Sequence, residues 1–224
     1  VLGLTGLLFG NTKFGGTESG TSIINKHTFI DDTGNRIEVE GPYTRIVSLF
    51  AEHTENLFFL GAGEQVIGIN TASVYPPDIV DLPRYSLAKK YDVEQIIAQN
   101  PDLVLISPAL NRNYPGPVTR LETAGLTGGS LQPDNFQEFA IYIEKLAMLT
   151  GKQEVFNECL DKFYGKLTEI SATAAQAAGQ AERKTTIFLE SSEQGYFTPA
   201  KGSLPYLAIS YAGGENIAGS PRPQ

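Results

Sequence analysis

The chain has few of the residues that build metal centres and disulfide frameworks. Its 224 residues include one cysteine, two histidines and no tryptophan. One cysteine excludes an internal disulfide framework and a multi-cysteine zinc site. The two histidines, His27 and His53, are too far apart to form a three-ligand metal site, so we expect no bound metal ion of that kind. Cys159 falls in a predicted helix, where a small core residue is the simplest interpretation.

Positive charge is also scarce. Seventeen lysines and arginines stand against 25 acidic residues, which gives a formal net charge of −8 and a pI near 4.8. Nucleic-acid binding needs a basic face, so this composition argues against a nucleic-acid partner. The acidity does not by itself indicate a cationic ligand, because net charge also serves solubility.

Long apolar runs are missing too. VLGLTGLLFG, residues 1–10, is apolar but too short to span a bilayer. It is either the remnant of a secretory h-region or an apolar segment without that role. Residues 11–26 are rich in Gly, Thr and Ser, which is typical of a flexible linker. This layout favours an exported protein with an optional membrane tether, although no cysteine directly follows the apolar run to carry a lipid.

What the chain does have is an alternation of buried strands and helices. RIVSL (45–49) is a short apolar run, AEHTENLFFLGAG predicts a helix that ends at its glycines, and QVIGIN (65–70) is a second strand. DVEQIIAQNPDLVLI then gives one more helix and one more strand. This order predicts βαβ units, a parallel sheet and an α/β fold. Such sheets bind ligands beyond the carboxyl ends of their strands.

The flanking segments complete the predicted organisation. HTFID and RIEVE flank a turn and predict a hairpin. GLTGGSLQ, where the last strand of the first lobe is expected, is weakened by its glycines. Residues 135–150 and 152–180 predict two amphipathic helices, and KTTIFLE (184–190) predicts a buried strand. We therefore divide the chain into a linker (1–26), an N-terminal lobe (27–134), a helical connection (135–182) and the start of a C-terminal lobe (183–224).

The first lobe resembles a known family. RIVSL…TENLFFLGAGEQVIGI…YPP…DVEQIIAQNPDLVLI, its hairpin lead-in and GSLPYLAISYAGGENIAG are similar to substrate-binding proteins of ABC importers for iron chelates, haem and cobalamin. In that family one long rigid helix joins two lobes. The resemblance implies that helix 152–180 is the inter-lobe helix. It also implies that the second lobe is incomplete, because a lobe of one strand and one helix cannot cover its own sheet.

The resemblance places ligand contacts in the loops at the mouth between the lobes. His53 would bond a chelate or its metal, or else be a helix-start histidine bonded to backbone. Arg84 and Arg112 would clamp carboxylates or catecholates, or else be solvated surface residues. The other expected contacts are Thr71, Tyr75 and Ser107 in the first lobe, and Tyr196 and Lys201 in loops of the second.

Glu94 has two interpretations. Acidic residues are favoured in a first helical turn by the helix dipole. In the family, a glutamate at this place binds a permease arginine, and the match of DVEQII favours that docking role. The family's second docking glutamate has no counterpart assigned in this chain.

The resemblance predicts a function in transport. We expect capture of a ferric, siderophore-like chelate between two lobes and delivery to an ABC permease, in an extracytoplasmic protein that is periplasmic or at the cell surface. We expect no cofactor and no catalysis, since GxSxG, P-loop and GxGxxG motifs are missing. Alternatives are a cobalamin, haem or oxyanion ligand, or a non-transport enzyme or interaction module. Cobalamin is disfavoured because several expected aromatic positions fall on Ala72, Ala88 and Pro108.

Overall fold

The structure is a computed structural model that describes residues 27–39, 41–126, 129–178, 185–186, 190–192, 195–198 and 201–216. The predicted apolar segment and linker, residues 1–26, lie outside the described residues. Within the described part of the chain, no helix combines the length and apolar character needed to cross a membrane.

The chain enters the first lobe through the predicted hairpin. Strands β1 (His27–Ile30) and β2 (Arg36–Val39) pair antiparallel. Asp31 Oδ1 closes the turn by accepting hydrogen bonds from the backbone N–H groups of Thr33 (2.9 Å) and Asn35 (2.8 Å). Burial alone would raise the pKa of the Asp31 carboxyl, but hydrogen bonds from Ser130, Asn35 and Thr33 keep it below its usual value.

A four-stranded parallel sheet forms the centre of the first lobe. Its strands are β3 (Ile46–Ser48), β4 (Val66–Asn70), β5 (Arg84–Tyr85) and β6 (Leu103–Leu105), in the order β5-β4-β3-β6. All three pairings are parallel. The predicted α/β class is therefore confirmed, and the carboxyl ends of these strands meet at one edge.

Helices cover both faces of this sheet. They are α1 (Ala51–Phe59), α2 (Lys90–Ala98), α3 (Pro108–Asn113) and α4 (Pro115–Thr123), with single 3-10 turns at Gly63–Gln65 and Pro77–Ile79. Successive strand residues point to opposite faces. Accordingly Ile46 joins the core that contains Leu57 of α1, whereas Val47 joins the core that contains Ile96 of α2.

The segment expected as the last strand of the first lobe makes little strand pairing, as its glycines predict. Ser130 makes one isolated parallel bridge with Ile106, beside β6. The backbone N–H of Leu131 donates to the Ile106 carbonyl over 3.1 Å. Gly129 has a φ of +105°, a backbone conformation that residues with a Cβ rarely adopt.

Two long helices follow the sheet, as predicted. They are α5 (Phe136–Thr150) and α6 (Gln153–Ala178). The 26 residues of α6 extend about 39 Å at the usual rise per residue. The first half of α6 packs on the sheet core through Phe156 and Leu160, and Cys159 is buried there, as expected. Ile170, in the second half, is exposed.

The described part of the second lobe consists of short elements. Strand β7 (Thr185–Thr186) pairs parallel with β10 (Glu215–Asn216), and β8 (Glu190–Ser192) pairs antiparallel with β9 (Gly195–Phe197). Helix α7 (Leu204–Tyr211) lies between β9 and β10 in the chain. Thr185–Thr186 pair with β10 and Glu190 with β9, whereas residues 184 and 187–189 lie outside the described residues, so the single strand over 184–190 stays a prediction.

Candidate functional site

The loop after β4 presents polar and aromatic groups at the carboxyl edge of the sheet. Thr71 is exposed, and Tyr75 is 60% exposed. Asn70 anchors the start of this loop, since its Nδ2 donates to the Leu49 carbonyl over 3.0 Å. Arg84 Nη1 donates to the Ser73 carbonyl over 2.6 Å. Arg84 is exposed beside the predicted mouth, and one of its hydrogen-bond donors holds this loop.

The loop after β6 is built differently. Ser107 is buried, and its Oγ accepts from the backbone N–H of Leu110 over 3.3 Å, which caps the N-terminus of α3. The predicted ligand contact is thus a helix cap with no exposed hydroxyl. Arg112 lies in the last turn of α3 and is exposed.

The second-lobe candidates belong to a strand and to the turn before α7. Tyr196 belongs to strand β9, opposite Ser191, and not to a loop as predicted. Lys201 is exposed and lines a cavity of about 910 Å³ with Asp134, Phe136 and Tyr211. None of the first-lobe candidates lines that cavity.

A smaller cavity of about 360 Å³ lies between the carboxyl edge of the sheet and the start of α7. A backbone hydrogen bond from Leu204 N–H to the Asp134 carbonyl, 3.1 Å long, joins its two sides. We call it the inter-lobe cavity. Its lining residues come from the β3–α1 junction, the segment before α5, α5 itself and the start of α7: Phe50, Glu52, His53, Asn56, Gln132, Pro133, Asp134, Phe139, Tyr142, Ser203, Leu204 and Pro205.

His53 lies beneath this cavity and is fully buried. Its Nδ1 is 2.9 Å from the Tyr142 hydroxyl and its Nε2 is 3.0 Å from the Ile106 carbonyl oxygen. Burial lowers the pKa of the imidazole to about 4, so the ring is neutral near pH 7. Both ring nitrogens are used by the protein. His53 is therefore removed from the direct ligand contacts, and the helix-start alternative describes it better.

Acidic and aromatic groups dominate the cavity wall. Glu52 is the acidic residue in the first turn of α1, and burial followed by repulsion from Glu55 raises the pKa of its carboxyl. The Phe139 ring lies beside Tyr142, with centroids 6.1 Å apart. Among the described residues that line the inter-lobe cavity, none is lysine or arginine.

The sequence did not identify most of this wall. Phe50 and Asn56 are each three positions from His53 in the chain, so residues 50–56 offered a signal for them. Tyr142 is separated from His53 by 89 positions. Phe139 and Tyr142 lie on the face of α5 that meets the sheet, and they show only the apolar spacing of an ordinary core helix.

Glu94 lies in α2 and forms an ion pair with Arg120 of α4. The Glu94 side chain is 46% exposed and that of Arg120 58%. The glutamate is thus on the surface, as docking requires, but it has an internal partner. Separately, the described residues contain no cluster of three or more His, Cys, Asp or Glu side chains able to hold a metal ion.

A family model described as periplasmic binding protein matches residues 46–222, and the chain belongs to that family. The vitamin B12-binding protein of Vibrio campbellii is 30% identical over 187 residues, covering 82% of this chain and 66% of that protein. That of Vibrio cholerae is 28% identical over 190 residues, covering 85% and 66%. The chain thus spans slightly less than two thirds of these relatives, which are binding proteins.

Solved structures agree with the fold. The crystal structure of the periplasmic vitamin B12-binding protein BtuF of Vibrio cholerae has a TM-score of 0.61 at 27% identity, over 81% of this chain and 69% of that one. A periplasmic haem-binding protein from Pseudomonas aeruginosa has a TM-score of 0.67 at 19% identity, over 78% and 62%. The second similarity concerns the fold alone.

Proposed function

We propose that this chain belongs to the substrate-binding component of an ABC importer, which captures a metal chelate outside the cytoplasm and delivers it to a membrane permease. The observation that carries this proposal is the inter-lobe cavity, because it joins the carboxyl edge of a parallel sheet to the start of α7. Membership of the periplasmic binding protein family supports it. The family relationship favours binding over the enzyme or interaction-module alternatives.

Capture would involve limited hinge motion. Helix α6 runs from the core of the first lobe to α7, and a packed helix resists bending more than a loop does. Gly213, just after α7, lies so close to α6 that an added Cβ would be 3.1 Å from the Ala174 Cβ. Small displacements of α7 against the sheet edge would then open or close the inter-lobe cavity.

For the ligand, we propose a cobalamin-type chelate first, which reverses the order expected from Ala72, Ala88 and Pro108. An anionic ferric siderophore would meet the carboxylates of Glu52 and Asp134 in a cavity whose described lining offers no lysine or arginine. Cyanocobalamin carries no net charge and has many amide groups, so it avoids this repulsion. The names of the curated relatives reported above support the same choice.

A ferric chelate is the second candidate, and the exposed arginines favour it. Arg84 and Arg112 both lie at the carboxyl edge, where they could reach a ligand larger than the inter-lobe cavity. Bidentate bonds from guanidinium groups to carboxylates or catecholates would then supply much of the affinity. Tyr75 would cover either ligand with its exposed ring.

Calorimetry with cyanocobalamin, haemin and a ferric tricatecholate tests the ligand. We expect cyanocobalamin to bind, and Tyr75→Ala to weaken binding by about tenfold through lost apolar cover. Arg84→Ala and Arg112→Ala should change cyanocobalamin affinity less than threefold. A strong loss with either arginine variant, together with tricatecholate binding, would favour the ferric chelate instead. Absence of binding to every probe would refute the proposed function.

We also propose that Glu94 docks on the permease. Its ion pair with Arg120 is exposed, and exposed pairs contribute about 0–1 kcal/mol, so a permease arginine could replace Arg120 at little cost. Glu94→Lys should reduce transport and stimulation of the ATPase in reconstituted vesicles while leaving ligand affinity intact. Glu122→Lys, an exposed glutamate of α4, is the matched control. Lost ligand affinity in Glu94→Lys would place this residue in the pocket.

A further inference from the structure

The hydrogen bonds beneath the inter-lobe cavity have assignable directions. The Ile106 carbonyl oxygen can only accept, so His53 Nε2, 3.0 Å away, carries the ring proton. In a neutral ring the other nitrogen, Nδ1, is then an acceptor. The Tyr142 hydroxyl, 2.9 Å from Nδ1, must therefore donate its only proton to His53. The Ile106 carbonyl thus fixes the direction of the whole chain of bonds.

Asn56 continues this chain of bonds. Its Nδ2 donates to the Glu52 backbone carbonyl over 2.7 Å and to the Tyr142 hydroxyl oxygen over 3.5 Å. The second bond is long, but it has this direction because the Tyr142 proton is already used on His53. Both amide hydrogens of Asn56 are thus directed at protein atoms, and the side chain keeps its Oδ1 as an acceptor.

The charged residues of the lining are hydrogen-bond acceptors as well. The carboxylates of Glu52 and Asp134 accept hydrogen bonds only. Phe50, Phe139 and Leu204 add apolar surface. Gln132 and Ser203 can both donate and accept. The lining therefore offers more acceptors than donors, together with aromatic rings, an environment that favours a donating or cationic group.

We infer that His53 is a specificity-determining positioning residue, which holds the Tyr142 hydroxyl as an acceptor so that the inter-lobe cavity selects a primary amide or ammonium group of the ligand over a carboxylate. This inference rests on the proposed function. His53 does not contact the ligand. It acts by taking the Tyr142 proton, which leaves the hydroxyl oxygen as an acceptor only.

Without the His53 acceptor, the direction of the Tyr142 hydroxyl bond is no longer fixed. The hydroxyl would be free to rotate, while the Glu52 carbonyl still holds the Asn56 amide. The Tyr142 proton could then be donated to a carboxylate of the ligand. The expected change is in discrimination between ligands, which loss of folded protein alone does not produce.

Matched ligand pairs test the inference by calorimetry at pH 7. One pair is cyanocobalamin and a monocarboxylic acid derivative in which one amide is hydrolysed. The other is ferrioxamine B and its N-succinyl derivative, in which a carboxylate replaces the ammonium. For the pair that binds, we expect the donor-bearing member to bind at least tenfold more tightly to the unmodified protein.

Three variants test the role of His53. His53→Phe should reduce the discrimination below threefold. His53→Gln should restore it, because a glutamine amide can donate to the Ile106 carbonyl and accept from Tyr142. Tyr142→Phe, which removes the hydroxyl but keeps the ring, should also reduce it and serves if His53→Phe does not fold. Glu55→Gln, a neighbouring carboxylate outside the cavity lining, is the control that should leave discrimination unchanged.

The outcomes separate this inference from the proposed function. Equal binding of both members of a pair, or full discrimination retained in His53→Phe or Tyr142→Phe, would overturn the inference while ligand capture stands. Binding of neither pair, with no binding of the other chelates, would refute both. Thermal melting of each variant shows whether an altered discrimination accompanies unfolding.

Discussion

The two lobes bury their apolar residues to different extents. In the first lobe, every residue of β3 and β6 is buried, and helices cover both faces of the sheet. In the described part of the second lobe, strands are two or three residues long, and no residue of α7 is fully buried. The first lobe has its own core, whereas α7 contacts β10, α6 and, through Tyr211, Phe136 of α5.

The largest expected effect is a core truncation in the first lobe. Leu105 is fully buried in β6, so Leu105→Ala should lower the free energy of unfolding by about 2–5 kcal/mol. Leu207→Ala in α7, at a partly buried position, should cost about 1–2 kcal/mol. Urea denaturation measures both. Equal losses would show that the second lobe is packed as tightly as the first.

A pH effect of similar size is expected from His53. Its pKa is about 4 in the folded protein and 6.5 for an imidazole exposed to water, so the unfolded chain binds more protons between these values. The free energy of unfolding should therefore fall by roughly 3 kcal/mol as the pH decreases from 6.5 through 4. His53→Gln removes this contribution. Unfolding curves of both proteins at several pH values should diverge in that window; parallel curves would contradict the buried neutral ring.

A pair of glycines compares the two lobes directly. Gly151 has a φ of +71°, and an added Cβ would lie 2.9 Å from the Pro42 Cβ. Gly213 has a φ of +79°, and its Cβ would lie 3.1 Å from that of Ala174. Each alanine variant should lose about 1–3 kcal/mol, with the larger loss for Gly151→Ala because the contact is closer. Melting temperatures measure this order, and its reversal would mean that α6 and α7 are held together more rigidly than the first lobe.

The smallest effect on stability is expected at the surface of the first lobe. Glu94→Gln removes the ion pair with Arg120, which is exposed on both sides and should contribute less than about 1 kcal/mol. Lys145→Met provides the contrast, because Lys145 pairs with Asp32 at 3.2 Å and its side chain is only 15% exposed. Urea denaturation should show the larger loss for Lys145→Met.

The fold was predictable where local pattern and tertiary context agree. Short apolar runs at β3, β4 and β6 predicted the parallel sheet, because strands buried on both faces need no polar alternation. The spacing of Phe156, Leu160 and Phe163 predicted α6. The second lobe offers less local pattern, since its described strands are too short to show a periodicity. KTTIFLE predicts one strand, and the structure describes strand pairing within it at Thr185–Thr186 and at Glu190.

The candidate site was predictable only in outline. Thr71, Tyr75, Arg84 and Arg112 are exposed residues at or near the edge that the topology indicates. Ser107 and His53 also follow strands at that edge, but a helix cap and two internal hydrogen bonds occupy their polar atoms. Position in the chain shows which residues reach the edge, but not which neighbours their polar atoms bind.

By itself, the sequence determined the parallel sheet, the long helix and the absence of a disulfide framework or multi-cysteine metal site. These follow from the order of apolar runs and from the number of cysteines. Only the tertiary structure decided that His53 meets Tyr142 across 89 positions and that acceptors line the inter-lobe cavity. The reason is physical: a hydrogen bond between distant segments depends on how α1, α5 and β6 pack together, and no local pattern encodes that geometry.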